Sequence, residues 1–332
     1  MIKRRWFIRL GGAVIAGAVC HRSDAASSAS EEDLILPEGT EVCTGGSRMI
    51  DIGGGHQVWT KKVGDGATKV LLLHGGPCGD HTFFECFEDF LPKNGIEFYY
   101  YDQLDSTNSD QPNDPKLWTI ERFRDEVEAV RKGLGLEQFY LFGHSWGGML
   151  AIEYALAYQQ SLKGLIISNM TAGIQAYEKH VAELRAALPD NVKAILDKYE
   201  KAGDYQAPEY QKVMFDQVYT RHLCRLNPWP EPITRGFRHL NEKIYNYMQG
   251  PNEFTVTGAM KGWERWDDLP RIHTNTLVLG AKYDEMSPDD LRKMAESMPN
   301  AQAWISENGS HLAMYDDQIP YFRRLLTFLK AA

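Results

Sequence analysis

Hydrophobic and polar positions follow two different periods along the chain. From about Glu41 to Val63 they alternate in short stretches such as His56-Gln57-Val58-Trp59-Thr60, interrupted by Gly53-Gly54-Gly55. That pattern predicts an antiparallel strand pair closed by a turn. Short apolar runs at Lys69–Leu73, Glu97–Tyr101, Phe139–Phe142, Lys163–Ile167, Thr276–Leu279 and Ala301–Ile305 are of strand length. Between two of them Phe123, Val127, Val130 and Leu134 fall at i, i+4, i+7 and i+11, predicting a helix over Ile120–Leu134, and Met149–Tyr158 is also predicted helical. Strands in turn with helices define an α/β fold with a mostly parallel sheet covered on both faces. A helix-rich block rich in Trp, Tyr and Met, from Tyr177 to about Trp266, interrupts this order. It reads as a helical cap built into the sheet domain, and the chain has no internal repeat.

Residues 1–25 are a different material. Lys3, Arg4, Arg5 and Arg9 precede the apolar run Leu10–Val19, and Ser23-Asp24-Ala25 follows. Basic, then apolar, then small is the order of an export signal. The run is too short to span a bilayer, which takes about 20 residues. Arg4-Arg5-Trp6-Phe7-Ile8-Arg9 resembles a bacterial twin-arginine signal, which implies periplasmic export after cleavage near Ala25 or Ala29. Val19 makes a poor lipobox before Cys20, so a soluble product without a stable membrane span is expected. The chain is therefore expected to divide into a signal (1–25), a first part of the core (26–170), the cap (171–266) and a second part of the core (267–332).

Charge narrows the class. The 332 residues hold 36 Lys+Arg and 45 Asp+Glu, and residues 26–332 hold 31 against 44, a net charge of −13. Such a balance lacks the basic face of a nucleic-acid binder. Five Cys without a C-x-x-C spacing suggest neither a disulfide scaffold nor structural zinc. An enzyme or a binding protein remains.

The chemistry concentrates at Phe139-Tyr140-Leu141-Phe142-Gly143-His144-Ser145-Trp146-Gly147-Gly148, a G-x-S-x-G between an apolar strand and a helix. A turn this sharp lifts the Ser145 hydroxyl clear of the backbone, and small flanking residues permit the close approach. A hydroxyl needs a base, and the base an orienting acid. Asp284 follows the strand Thr276–Leu279 and His311 the strand Ala301–Ile305, in the order Ser, acid, His of this fold. Both lie beyond strand C-terminal ends, where open α/β sheets place their ligands. An oxyanion needs two N–H donors. Trp146, after the nucleophile, and Gly76, in the loop His74-Gly75-Gly76-Pro77, are the candidates. His74 and His144 are read as structural. No metal or organic cofactor is implied.

His74-Gly75-Gly76-Pro77, Tyr101-Asp102-Gln103, Gly143-His144-Ser145-Trp146-Gly147-Gly148 and Gly250-Pro251-Asn252-Glu253-Phe254 together resemble the proline iminopeptidases, and the resemblance runs from about Val42 to the C-terminus. It implies an α/β-hydrolase fold and a serine aminopeptidase that releases an N-terminal residue, typically proline. It also implies that Glu253 and Glu285 hold the free amine of a short peptide or amino-acid amide. Two departures stand out. Cys78 follows Pro77 where the family usually has Gly, and Leu104-Asp105 stands where many members have an apolar residue and Gly. Cys78 is expected to narrow the mouth beside the oxyanion loop, and Asp105 to add charge there. Cys78 and Cys86 are expected as free thiols rather than a disulfide. The same motifs also fit an amidase or small-ester esterase, or a hydrolase-fold binding protein without turnover. A dehalogenase or epoxide hydrolase would have Asp where this chain has Ser145. Gly133-Leu134-Gly135 ends a helix before a strand, the reverse of a dinucleotide loop. The sequence sets no oligomeric state.

Overall fold

The structure is a computed structural model that describes residues 42–331. The expected export signal at 1–25 lies outside the described residues. Eight strands, β1 (Ser47–Asp51), β2 (Gln57–Val63), β3 (Thr68–Leu73), β4 (Ile96–Tyr101), β5 (Phe139–His144), β6 (Leu162–Ser168), β7 (Thr276–Ala281) and β8 (Ala301–Ser306), form one sheet. Their spatial order is β1-β2-β4-β3-β5-β6-β7-β8. β1–β2 and β2–β4 pair antiparallel, and every later neighbour is parallel. β5 therefore sits inside the sheet between β3 and β6, with its C-terminal end at the centre of the strand ends.

Central strands are buried on both faces, and successive side chains feed different cores. Leu71, Leu73, Phe139 and Leu141 pack on one side with α1 (Ile120–Gly133) and α2 (Trp146–Tyr158). Val70, Leu72, Tyr140 and Phe142 pack on the other with Phe84, Phe87 and the helix Gln318–Lys330. α1 starts where Thr119 accepts a hydrogen bond from the Arg122 amide and ends ahead of Gly135, whose φ is 68°. The period of Phe123, Val127 and Val130 is thus the face turned to the sheet. α2 begins three residues before its predicted start. Gly147 and Gly148 open the helix because only glycine fits there: a Cβ on Gly147 would strike the Leu73 carbonyl oxygen.

The helices between β6 and β7 are Ile174–Ala186, Asp190–Ala202, Pro208–Met214, Glu231–His239 and Glu242–Met248, with a wide π turn at Phe215–Tyr219 leading into His222. They have a small core of their own around Leu196, Tyr210 and Met214. The described residues from Thr44 onward nonetheless form one compact unit. Three backbone hydrogen bonds tie the insertion to the sheet loops, from His311 N to His222 O (2.9 Å), from Leu312 N to Leu223 O (2.8 Å) and from Asn241 N to Cys78 O (3.2 Å).

Candidate active site

Ser145 joins β5 to α2 with φ 55° and ψ −125°. A serine at positive φ is strained. Its amide donates to Ser168 O at 3.0 Å, so β6 holds the turn in place. Ser145 borders two cavities, one of about 430 Å³ and one of about 290 Å³.

Asp284 and His311 come together as their order implied. Asp284 is fully buried, and its Oδ1 lies 2.8 Å from His311 Nδ1. Its other oxygen accepts a hydrogen bond from Asn169 Nδ2 at 2.7 Å. Asn169, at the end of β6, is a residue the sequence reading missed. It has φ 54° and accepts from the Ser168 hydroxyl, which aims its amide at the acid. A polar residue directly after an apolar strand was the available signal. His144 Nε2 donates to the carbonyl of His311 (2.8 Å), and burial pushes its pKa down to about 3, so it stays neutral. His144 is thus the structural histidine it was expected to be. For His311 burial alone favours the neutral ring, but Glu285, Asp284 and Glu253 together outweigh it and raise its pKa to about 9.

The oxyanion loop is fixed from behind. His74 Nδ1 donates to Gly75 O (2.9 Å) while its Nε2 accepts from the Gln103 amide (3.1 Å), which defines a neutral ring with the proton on Nδ1. Gln103 also donates to His74 O (3.2 Å) and accepts from the Trp146 indole (2.8 Å). Gln103 thereby couples the loop to the residue after Ser145, which is the physical content of the Tyr101-Asp102-Gln103 motif. Gly76 has φ 124°, and a Cβ there would lie 2.6 Å from the Gly79 nitrogen. Trp146 is the first residue of α2, so its amide has no acceptor within the helix. Gly76 and Trp146 both border the smaller cavity with Ser145.

The expectations for Cys78 and Asp105 need correcting. Cys78 is fully buried, with its Sγ 3.3 Å from Leu104 O, and Asp105 is fully buried against the Trp118 indole (2.7 Å) and the Asn113 amide (2.8 Å). Neither borders the cavities at Ser145. Their φ values are 54° and 70°, so both occupy left-handed positions that suit glycine, and their side chains turn inward. Cys78 and Cys86 are free thiols as expected, both buried.

Glu253 and Glu285 meet at the smaller cavity together with Tyr177, Met149, Met170 and Met286. Glu285 is fully buried, its Oε1 lies 3.4 Å from the Tyr177 hydroxyl and 3.7 Å from His311 Nδ1, and its Oε2 has no hydrogen-bond partner among the described residues. Burial pushes its carboxyl well above the usual carboxylate range; His311 opposes the rise, and Glu253 and Asp284 add to it. Burial also raises Glu253, against the pull of His311 and a hydrogen bond from Tyr245. The turn carrying Glu253 is set by Asn252, whose Oδ1 accepts from the Phe254 amide (2.9 Å) and whose Nδ2 donates to Tyr210 (2.8 Å). The Tyr177 hydroxyl reaches the Glu253 carbonyl. Tyr177 and Tyr245 also escaped the sequence reading, because a tyrosine in a helical block reads equally well as core.

A serine on a strand-to-helix elbow, an Asp-His pair from later loops and a glycine oxyanion loop define an α/β-hydrolase. The family model described as the alpha/beta hydrolase fold matches residues 69–318. A proline iminopeptidase of Flavobacterium johnsoniae is 45% identical over 281 residues, 83% of this chain and 94% of that protein. The chain belongs to the proline iminopeptidase family. Among solved structures, VinJ is similar at TM-score 0.82 and 31% identity, covering 86% of this chain and 98% of that one. The proline iminopeptidase of Mycobacterium smegmatis is similar at 0.79 and 30%, covering 85% and 97%.

Proposed function

We propose that the protein is a serine aminopeptidase that releases an N-terminal residue, preferentially proline, from short peptides. The observation that carries this reading is the carboxylate pair beside Ser145. Among the described residues no Lys or Arg pairs with Glu253 or Glu285, and the buried Glu285 Oε2 has no partner. A buried carboxylate needs a compensating charge, and a substrate ammonium supplies it. An ester or a blocked peptide does not, and a chain continuing past the amine would meet the Tyr177 and methionine wall.

With the amine held there, Ser145 Oγ attacks the carbonyl of the N-terminal residue while His311 takes its proton. Asp284 holds the tautomer and the charge that develops. The amides of Gly76 and Trp146 receive the oxyanion. His311 then protonates the departing amine, and water releases the amino acid from the acyl-enzyme by the same path. Amino-acid amides present the same amine and carbonyl, so the reading extends to them.

Kinetics on a panel of aminoacyl-naphthylamides with free and acylated amines test this. Free-amine substrates, prolyl first, should turn over, and Ser145→Ala should abolish that turnover in folded protein. Hydrolysis of blocked esters alone would make it an esterase. Failure of folded wild type to react with a fluorophosphonate at Ser145 would make it a binding protein. We also propose export through residues 1–25, supported by their basic, apolar, small order; N-terminal sequencing of exported protein that starts at Met1 would overturn it.

A further inference from the structure

Two cavities meet at Ser145, and the residue that is released needs only one of them. The smaller holds Glu253, Glu285, Gly76 and Trp146. The larger shares Ser145, Gly76 and Glu253 but also holds His311, which the smaller does not. A leaving amine must depart beside the imidazole that protonates it. The residue after the scissile bond therefore lies in the larger cavity.

Apart from the groups at the reaction centre, the wall of that cavity is apolar: Phe83, Leu223, Phe237, Leu240 and Leu312. Phe83 and Phe237 meet edge to face at 5.5 Å, and Phe237 is stacked on Trp229 at 5.5 Å. Gly236 lets the helix Glu231–His239 lie on Phe83, since a Cβ there would sit 2.7 Å from the ring. The aromatic wall is thus braced from behind. Among the described residues no Lys or Arg lines it, and its one carboxylate is Glu253. An apolar side chain gains by leaving water for such a wall. An acidic one is desolvated without a partner and repelled by Glu253.

Resting on the aminopeptidase reading, we propose that the protein also selects its substrate by the residue after the scissile bond, favouring a large apolar side chain and rejecting an acidic one. Phe237 and Leu240, both from the insertion, are the residues that determine this preference. The Phe237 ring supplies a face for an aromatic side chain, and Leu240 stands with it between this cavity and a neighbouring one bordered by Tyr245 and Asn246.

The test is kcat/KM for the amidated dipeptides Pro-Phe, Pro-Leu, Pro-Gly and Pro-Asp, with wild type, Phe237→Ala and Leu240→Ala. In wild type, Phe and Leu should exceed Gly about tenfold or more, with Asp lowest. Phe237→Ala should shrink the Phe-to-Gly ratio by on the order of tenfold and Leu240→Ala by less. The ratio within one preparation is insensitive to the fraction of folded enzyme, and the wild-type series stands even where a variant does not fold. Hydrolysis of all four peptides within a factor of about two would overturn the preference while leaving the aminopeptidase reading intact. A wild-type preference that neither variant changes would remove it from this wall. Absence of turnover on every free-amine substrate would instead sink the aminopeptidase reading, and this inference with it.

Discussion

His311 is surrounded by three carboxylates, and a general base must be unprotonated to work. Its pKa, raised to about 9 with Glu285 the largest of the carboxylate contributions, means that the free enzyme gains activity as pH rises through a limb well above the ordinary 6.5 of histidine. In the proposed binding mode, a substrate ammonium between Glu253 and Glu285 would offset their charge and lower that pKa in the complex. The acid limb of kcat should therefore lie below that of kcat/KM. Glu285→Gln should move the kcat/KM limb to lower pH and raise KM for free-amine substrates by on the order of tenfold. A limb that stays in place would show that Glu285 acts on the substrate alone. At this scale Ser145, Asp284 and His311 were legible because each closes a strand in a fixed order. Asn169 was not, since its role depends on where β6 stands relative to β7.

The elbow is an element-level constraint. β3, β5 and α2 approach backbone to backbone, and a Cβ on Gly143 or Gly147 would strike a carbonyl oxygen of a neighbouring segment. Gly147→Ala is expected to destabilise the protein by on the order of 3 kcal/mol in urea unfolding and to reduce turnover, because α2 must move away from Leu73. An unchanged midpoint would mean that the helix shifts freely. Strand positions were legible from short apolar runs, since a strand buried on both faces carries little else. The insertion was legible only as helix-rich. Its helices bury their apolar faces partly on one another around Leu196 and Tyr210 and partly on the sheet loops, so their periods do not say which face meets Ser145.

Across the whole molecule, contacts between distant segments hold the site together. His144 reaches the carbonyl of His311 across 167 positions, and as a buried neutral ring it links stability to pH. Its folded pKa of about 3 lies below the unfolded value near 6.5, so the unfolded chain binds the extra proton. The stability this group contributes is complete above about pH 6.5 and declines as pH falls toward 3. Other buried groups, Glu285 among them, titrate in the opposite sense, so the effect is isolated by comparison with His144→Gln, which keeps an N–H donor. Between pH 7 and 4.5 wild type should lose roughly 2–3 kcal/mol relative to that variant in denaturant unfolding. Parallel curves for the two proteins would mean that His144 is not held neutral.

The sequence by itself determined the α/β alternation, the elbow, the order of the catalytic candidates and the interruption by helices. These follow from local periodicity, turn chemistry and spacing, which one stretch of chain carries alone. Tertiary structure decided what the departures at Cys78 and Asp105 do, because a left-handed backbone turns their side chains away from the mouth. It also decided that one cavity holds two carboxylates and the other an aromatic wall. Both arrangements join residues more than a hundred positions apart, Phe83 with Phe237 and Tyr177 with Glu285, and only packing of the insertion on the sheet loops brings such pairs together.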